Sequence, residues 1–231
     1  MIDFQEGHRT NPESAMLPRI DEKLRRQVTT NYCDKTLSSN VDWDWGQPMD
    51  LAAFQQFFDN CVGDWVSERT YHYLTHQEIE RSQTEFQIRG LDEALKRKVL
   101  ADNDFPEPND LGTLPGYHLD FQTVSEHGDK KAYGLNFLFV PDCKAGGLLT
   151  GSYLRDRAYE EAKPMVAKFT FNPEINELAL TTTYTRVVSV DSITLVNPVM
   201  RVRKILNYHR PPEGEALSQV ALAGFGIEQK K

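Results

Sequence analysis

The stretch that decides the fold is residues 117–227, which reads as strand after short strand: YHLDFQTV (117–124), KAYGLNFLFV (131–140), GLLTGSYLR (147–155), MVAKFTFN (165–172), ELALTTTYTRVV (177–188), SITLV (192–196), VMRVRKILN (199–207) and LSQVALAGFGI (217–227). Val, Thr, Tyr and Phe interleave with polar residues at a period of two, the spacing of a half-buried strand. Turn chemistry separates the runs, as in EHGDKK (126–131) and NPEIN (172–176). Working outward, GDWVSERTYHYL (63–74) and IERSQTEFQIRG (79–90) repeat the pattern. About ten predicted strands with hairpin-length connections favour a mainly β fold, an antiparallel up-and-down β-barrel or a sandwich, over any α/β design.

Two helices are predicted before and among these strands. In MDLAAFQQFFDNCVG (49–63), Leu51, Phe54, Phe58 and Cys61 form one helical stripe that Asp50 can cap and Gly63 can end. DEALKRKVLADN (92–103) reads as a second helix solvated by its charges, and DFPEPNDLGTLPG (104–116) as a loop. Residues 1–48 differ in kind: Pro12, Pro18 and Pro48 interrupt a polar stretch with only short apolar clusters. They read as a partly ordered arm, ahead of one barrel domain over 49–231. Within the arm PRIDEKLRRQV (18–28) suits a short charged helix. Trp43 and Trp45 suit either packing back onto a groove or docking a partner.

Composition removes several function classes. With 26 Lys+Arg against 34 Asp+Glu, the net charge of −8 argues against a protein built to neutralise phosphates, so nucleic acid is not an expected partner. Cys33, Cys61 and Cys143 are odd in number and lack a CxxC pair, which suits neither a disulfide framework nor a zinc site. A reducing, cytosolic compartment is the simplest reading. No run approaches the roughly 18 apolar residues of a membrane span, and MIDFQEGHRTNPE (1–13) lacks a signal-peptide layout. No metal is expected, since His76 and Glu80, four apart, would not share a helical face in a strand. GxSxG elbows, phosphate loops and Cys/His nucleophile arrangements are missing from the sequence. Cys61 reads as core and Cys143, beside Pro141 and Asp142, as a turn residue.

Barrels of this size either fill their interior or hold one small ligand there, so inward polar residues matter. Alternation puts Val199, Arg201, Arg203 and Ile205 on one face of their strand. The arginines are either solvated or cavity-lining, where a guanidinium fork would grip a carboxylate. In the first strand Trp65, Ser67, Arg69, Tyr71 and Tyr73 share a face, opposite Val66, Glu68, Thr70, His72 and Leu74. Gly224 and Gly226 read as close backbone packing in the last strand. The pattern alone leaves a ligand-binding barrel and a packed interaction barrel.

Four segments in order narrow this: FFDNCVGDWVSERTYHYL (57–74), FLFVPD (137–142), the run from Gly146 to Arg186, and NPVMRVRKIL (197–206). Together they resemble the S-type phycobiliprotein chromophore lyases, the CpcS/CpeS family, over roughly residues 50–227. The resemblance implies a lipocalin-like, fatty-acid-binding-protein-like barrel of ten strands with an N-terminal helix. It implies a bilin ligand, phycocyanobilin or phycoerythrobilin, delivered as a thioether to a cysteine of an apo-phycobiliprotein subunit, with no metal. It further implies a homodimer or heterodimer in the cyanobacterial cytosol or plastid stroma.

Position by position, Arg69 matches the family's first-strand Arg, Arg201 its late-strand Arg, and Asp191 the acid ten residues earlier. The resemblance gives Arg69 and Arg201 the propionates and Asp191 the pyrrole nitrogens, where it would support the protonated, more electrophilic bilin. Ser67, Tyr71, His72, Arg203 and Phe121 complete the expected ligand-binding set. Five departures stand out: Tyr73 follows His72 where the family often has a second His, Thr194 and Phe121 replace tryptophans, the acid of the last strand looks replaced near Phe225, and Asp191 is one carbon shorter than Glu. A lyase, a non-catalytic tetrapyrrole carrier and an assembly or interaction protein on the same barrel are the three readings that follow.

Overall fold

The computed structural model describes residues 48–108, 110–156 and 163–231. The period-two runs become ten strands: β1 (Gly63–Tyr73), β2 (Glu78–Gly90), β3 (Gly116–Ser125), β4 (Lys130–Ala145), β5 (Leu148–Arg155), β6 (Met165–Asn172), β7 (Glu177–Thr183), β8 (Val187–Asn197), β9 (Met200–His209) and β10 (Val220–Lys230). Each pairs antiparallel with its neighbour in sequence, and β10 pairs back onto β1, so the sheet closes and the sandwich falls away. Val187 and Val188 open β8 instead of ending β7, because Tyr184 N–H donates to the Val187 carbonyl at 2.8 Å and the chain turns there. Cys143 lies by its backbone in β4, where the pairing with β5 shifts register, and not in a turn. Except for Pro48, the N-terminal arm, with residues 18–28, Cys33, Trp43 and Trp45, lies outside the described residues.

Helix α1 (Pro48–Cys61) plugs one end of the barrel. Phe54, Phe57, Phe58 and Cys61 are all buried, so the apolar face is wider than the predicted stripe by Phe57. Phe54 stacks on Phe169 at 5.2 Å between ring centres, and Phe58 on Tyr117 at 4.9 Å. These aromatic pairs add to the area they bury. The Trp65 indole N–H donates to the Cys61 carbonyl at 2.9 Å, tying the last turn of α1 to β1. Gly63 makes that exit with φ of 130°, a conformation that favours glycine.

Helix α2 (Glu93–Asp102) starts on Asp92, whose side chain accepts from Leu95 N–H at 2.8 Å. It is not simply solvated. Val99 and Leu100 bury against the outward side chains Leu138, Val140 and Leu154 of β4 and β5, with Leu111 and Leu114 from the following loop. Lys96 is buried by its stem and donates its Nζ to the Gly112 carbonyl at 2.9 Å. None of the helices among the described residues is long and apolar enough to cross a membrane.

Candidate functional site

Inside the barrel lies a cavity of about 600 Å3, floored by Phe57, Phe58 and Cys61 of α1. Strand register stacks its wall in rows across β2, β1, β10 and β9. One deep row runs Thr84, Ser67, Glu228, Arg201, and the next above it runs Ser82, Arg69, Gly226, Arg203. Above it come Glu80, Tyr71, Gly224 and Ile205, with Asp191 of β8 beside Ile205. The two glycines follow from this packing: a Cβ on Gly224 would stand 2.9 Å from the Tyr71 ring, and one on Gly226 3.1 Å from Arg69 Cγ.

The centre of the site is Glu228, which is 0% exposed. Its Oε2 accepts from Arg201 Nε at 2.5 Å, and its Oε1 accepts from Arg203 Nε at 2.9 Å and Arg69 Nη2 at 3.2 Å. Burial alone would push this carboxyl up, but Arg201, Arg203 and Arg69 overcome it and hold it well below the usual carboxylate range. Arg201, whose side chain is 3% exposed, is also sandwiched, with its guanidinium 4.7 Å from the Trp65 ring centre and 5.1 Å from that of Phe86. Arg69 and Arg203, each with 17% of the side chain exposed, are the cluster's face toward the cavity. Among the described residues the Glu228 and Arg69 rows of this wall together carry three guanidiniums and one carboxylate.

Asp191 lines the cavity one row above, and no hydrogen bond or ion pair within the described residues falls on it. Burial pushes its carboxyl up, against the pull of Arg203, Arg69 and Arg155. Arg155, which the sequence pattern did not single out, lines the cavity from β5 and donates to the Tyr184 hydroxyl at 3.0 Å. Toward the mouth Tyr73 donates to Glu80 at 3.0 Å, and burial together with that carboxylate pushes its phenol up to about 12. Burial also pushes the Cys61 thiol up, which disfavours its thiolate.

The structure brings Arg69, Tyr71, Phe121, Asp191, Arg201 and Arg203 to one cavity and leaves two of the expected residues out. Alternation turns His72 to the outer face of β1, away from the lining. Ser67 points inward but is buried below the lining, where its hydroxyl accepts from Arg69 Nε at 3.3 Å, so it positions Arg69 instead of meeting a ligand. Arg201 belongs to the deep end of the lining, yet its guanidinium is occupied by Glu228 and two rings. Thr194 bonds outward to Glu177 at 3.0 Å. Phe225, near which the expected last-strand acid looked replaced, is 52% exposed on the outer face, and the inward acid of this strand is Glu228, three residues on. Counting by twos from Gly224 through Gly226 would have found it, but the predicted strand ended at Ile227.

A closed ten-stranded meander, one end plugged by a helix and the interior charged, is a lipocalin-like barrel. The model of the CpeS-like protein family matches residues 53–231, and the chain belongs to that family. A chromophore lyase CpcS/CpeS 1 of Synechococcus sp. (strain JA-3-3Ab) is 55% identical over 180 residues, which cover 78% of this chain and 97% of that protein. The phycocyanobilin lyase subunit CpcS of a Picosynechococcus species is 25% identical over 155 residues, 66% of this chain and 77% of that protein. The solved S-type phycobiliprotein lyase CPES from Guillardia theta has the same fold, with a TM-score of 0.62 at 16% identity over 80% of this chain and 98% of that one. No group of three or more His, Cys, Asp or Glu among the described residues could hold a metal ion.

Proposed function

We propose that this chain binds a linear tetrapyrrole, a bilin, inside the barrel and assists its covalent attachment to a cysteine of an apo-phycobiliprotein subunit. The observation that carries the reading is the wall on which Arg69, Arg201 and Arg203 share Glu228, one row from the unpaired Asp191. A bilin brings ionised propionates for such a wall and a row of pyrrole nitrogens for an acid beside it. The aromatic floor and walls supply the dry concave surface that its curved apolar body needs.

In this reading Arg69 and Arg203 meet the propionates, Arg201 and Glu228 hold those two arginines in place, and Asp191 faces the pyrrole nitrogens. A carboxyl raised by burial can keep a proton near the bilin, and a protonated bilin is the better electrophile. Attachment adds an S–H across the exocyclic double bond of a terminal ring: the sulfur bonds one carbon, the proton ends on the other, and no redox partner is needed. The thiol belongs to the acceptor protein, consistent with the buried, poorly acidic Cys61.

Phycocyanobilin and phycoerythrobilin are the candidate ligands, and a relative named as a lyase subunit supports testing a heterodimer as well as a homodimer. Acting on phycobiliproteins would place the chain in a cyanobacterial cytosol or a plastid stroma, with the 1–48 arm as a separate element ahead of the barrel. Co-expression with an apo-phycobiliprotein and a bilin source tests the reading. A coloured adduct that survives denaturation is the expected result. Tight bilin binding without an adduct would leave a carrier, and no binding at all would leave an interaction barrel.

A further inference from the structure

Ser82 is 5% exposed, lines the cavity, and has no hydrogen-bond partner for its hydroxyl. Buried hydroxyls are normally paired, so each exception calls for a cause. The neighbouring row shows what pairing looks like on the same two strands: one row deeper, the Thr84 and Thr123 hydroxyls bond each other at 2.8 Å. The residue facing Ser82 on β3 is Ser125, whose hydroxyl instead accepts from the turn amides of His127 at 3.3 Å and Asp129 at 3.2 Å. Ser125 is thereby committed to the β3–β4 turn, and Ser82 is left facing the interior.

On its other side Ser82 is paired in register with Arg69. Arg69 spends Nε on Ser67 and one Nη2 contact on Glu228, while a guanidinium has five N–H donors. Beyond Arg69 the row continues to Gly226, which has no side chain, and then to Arg203. Hydroxyl, guanidinium, gap and guanidinium thus lie side by side on one row of the wall.

We propose that Ser82 is a ligand-binding residue whose hydroxyl donates to the carboxylate that Arg69 holds. This rests on reading the cavity as a bilin site and assigns one propionate to the Ser82–Arg69 pair. A hydroxyl donating to an ionised acceptor makes the stronger, charge-assisted kind of hydrogen bond, and no charged residue need be added to a wall already rich in guanidinium.

The test titrates phycocyanobilin and its dimethyl ester, followed by visible absorbance, into wild type, Ser82→Ala and Ser82→Thr. The ester keeps the chromophore and removes the charge that Ser82 and Arg69 recognise. Ser82→Ala is expected to weaken the free acid about tenfold, the ester by no more than about threefold, and Ser82→Thr to restore binding of the acid. Equal loss for acid and ester would assign Ser82 to cavity shape, and unchanged affinity for both would remove it from the site; either result overturns the proposal. Wild type that binds neither compound overturns the bilin reading itself, and the Ser82 assignment with it. Thermal melting of each variant identifies any loss that comes from unfolding.

Discussion

Glu228→Gln keeps the shape of the central side chain and removes the charge on which three guanidiniums converge. The contacts at 2.5, 2.9 and 3.2 Å become at best bonds from a cation to a neutral amide oxygen, those on the side taken by the NH2 are lost, and Arg201 is left enclosed between Trp65 and Phe86 without an anion. Breaking a buried pair from one side costs about 3–5 kcal/mol, chiefly because the remaining charge stays desolvated. At about 2–4 °C per kcal/mol for a domain of this size, Glu228→Gln should melt roughly 6–20 °C below wild type at neutral pH. Circular dichroism melts measure this directly.

A second arm isolates the cause. Arg201→Met in the Glu228→Gln background removes the stranded cation and should recover part of the loss, whereas strict additivity of the two single losses would refute the buried-charge account. Acidification supplies a third arm. The folded-state pKa of Glu228 lies below its unfolded value of about 4.3, so its stabilisation is present above that value and is lost as pH falls further. Wild type should therefore lose stability on acidification below about pH 4.3 more steeply than Glu228→Gln. A variant melting within about 2 °C of wild type, with the same acid limb, would show that Glu228 does not hold the wall together.

Asp191→Asn should raise the melting temperature at pH 7. The Asp191 carboxyl is raised in the fold, so its ionisation opposes folding above that raised value and not below its unfolded value of about 3.9. The gain should shrink toward pH 4, and a lower melting temperature at pH 7 would contradict this. Gly224→Val drives a side chain into the Tyr71 ring 2.9 Å from the new Cβ and should cost about 1–3 kcal/mol in a melt and about tenfold in bilin affinity. Unchanged affinity would mean that Tyr71 does not shape the cavity. His72→Ala, on the outer face of β1, should leave bilin affinity within about twofold while Tyr71→Ala lowers it, and a tenfold loss for His72→Ala would overturn that placement.

Strand number and the two faces of β1 and β9 were legible because period-two alternation is local. Which face turns inward was not, since Arg201 and Arg203 read equally well as solvated until closure of the sheet sets inside and outside. Closure itself depends on β1 pairing with β10, a contact across the whole domain that leaves no local signal. β4 illustrates the same limit from the other direction. Its apolar run FLFV is continuous because Phe137 and Phe139 serve the interior while Leu138 and Val140 lie under α2, so both faces are covered. Seen alone, α2 looks solvated; seen with that run, it has a surface to cover. The family resemblance singled out Arg69, Arg201 and Asp191, which line one cavity, whereas Glu228 went unnoticed because the predicted strand stopped one residue short.

Closure by the last strand also orders events in time. Residues 63–73 must wait for residues 220–230 before they are paired on both edges, and closing this longest loop of the barrel should slow its folding. The strand that closes it also delivers Glu228. On a ribosome, Arg69, Arg201 and Arg203 are all made before their shared counterion, and a nascent chain ending before β10 has three mutually repelling cations and an open sheet. The binding chamber and the charge that stabilises it therefore come into being together, so that an incomplete chain has nowhere to sequester a reactive pigment.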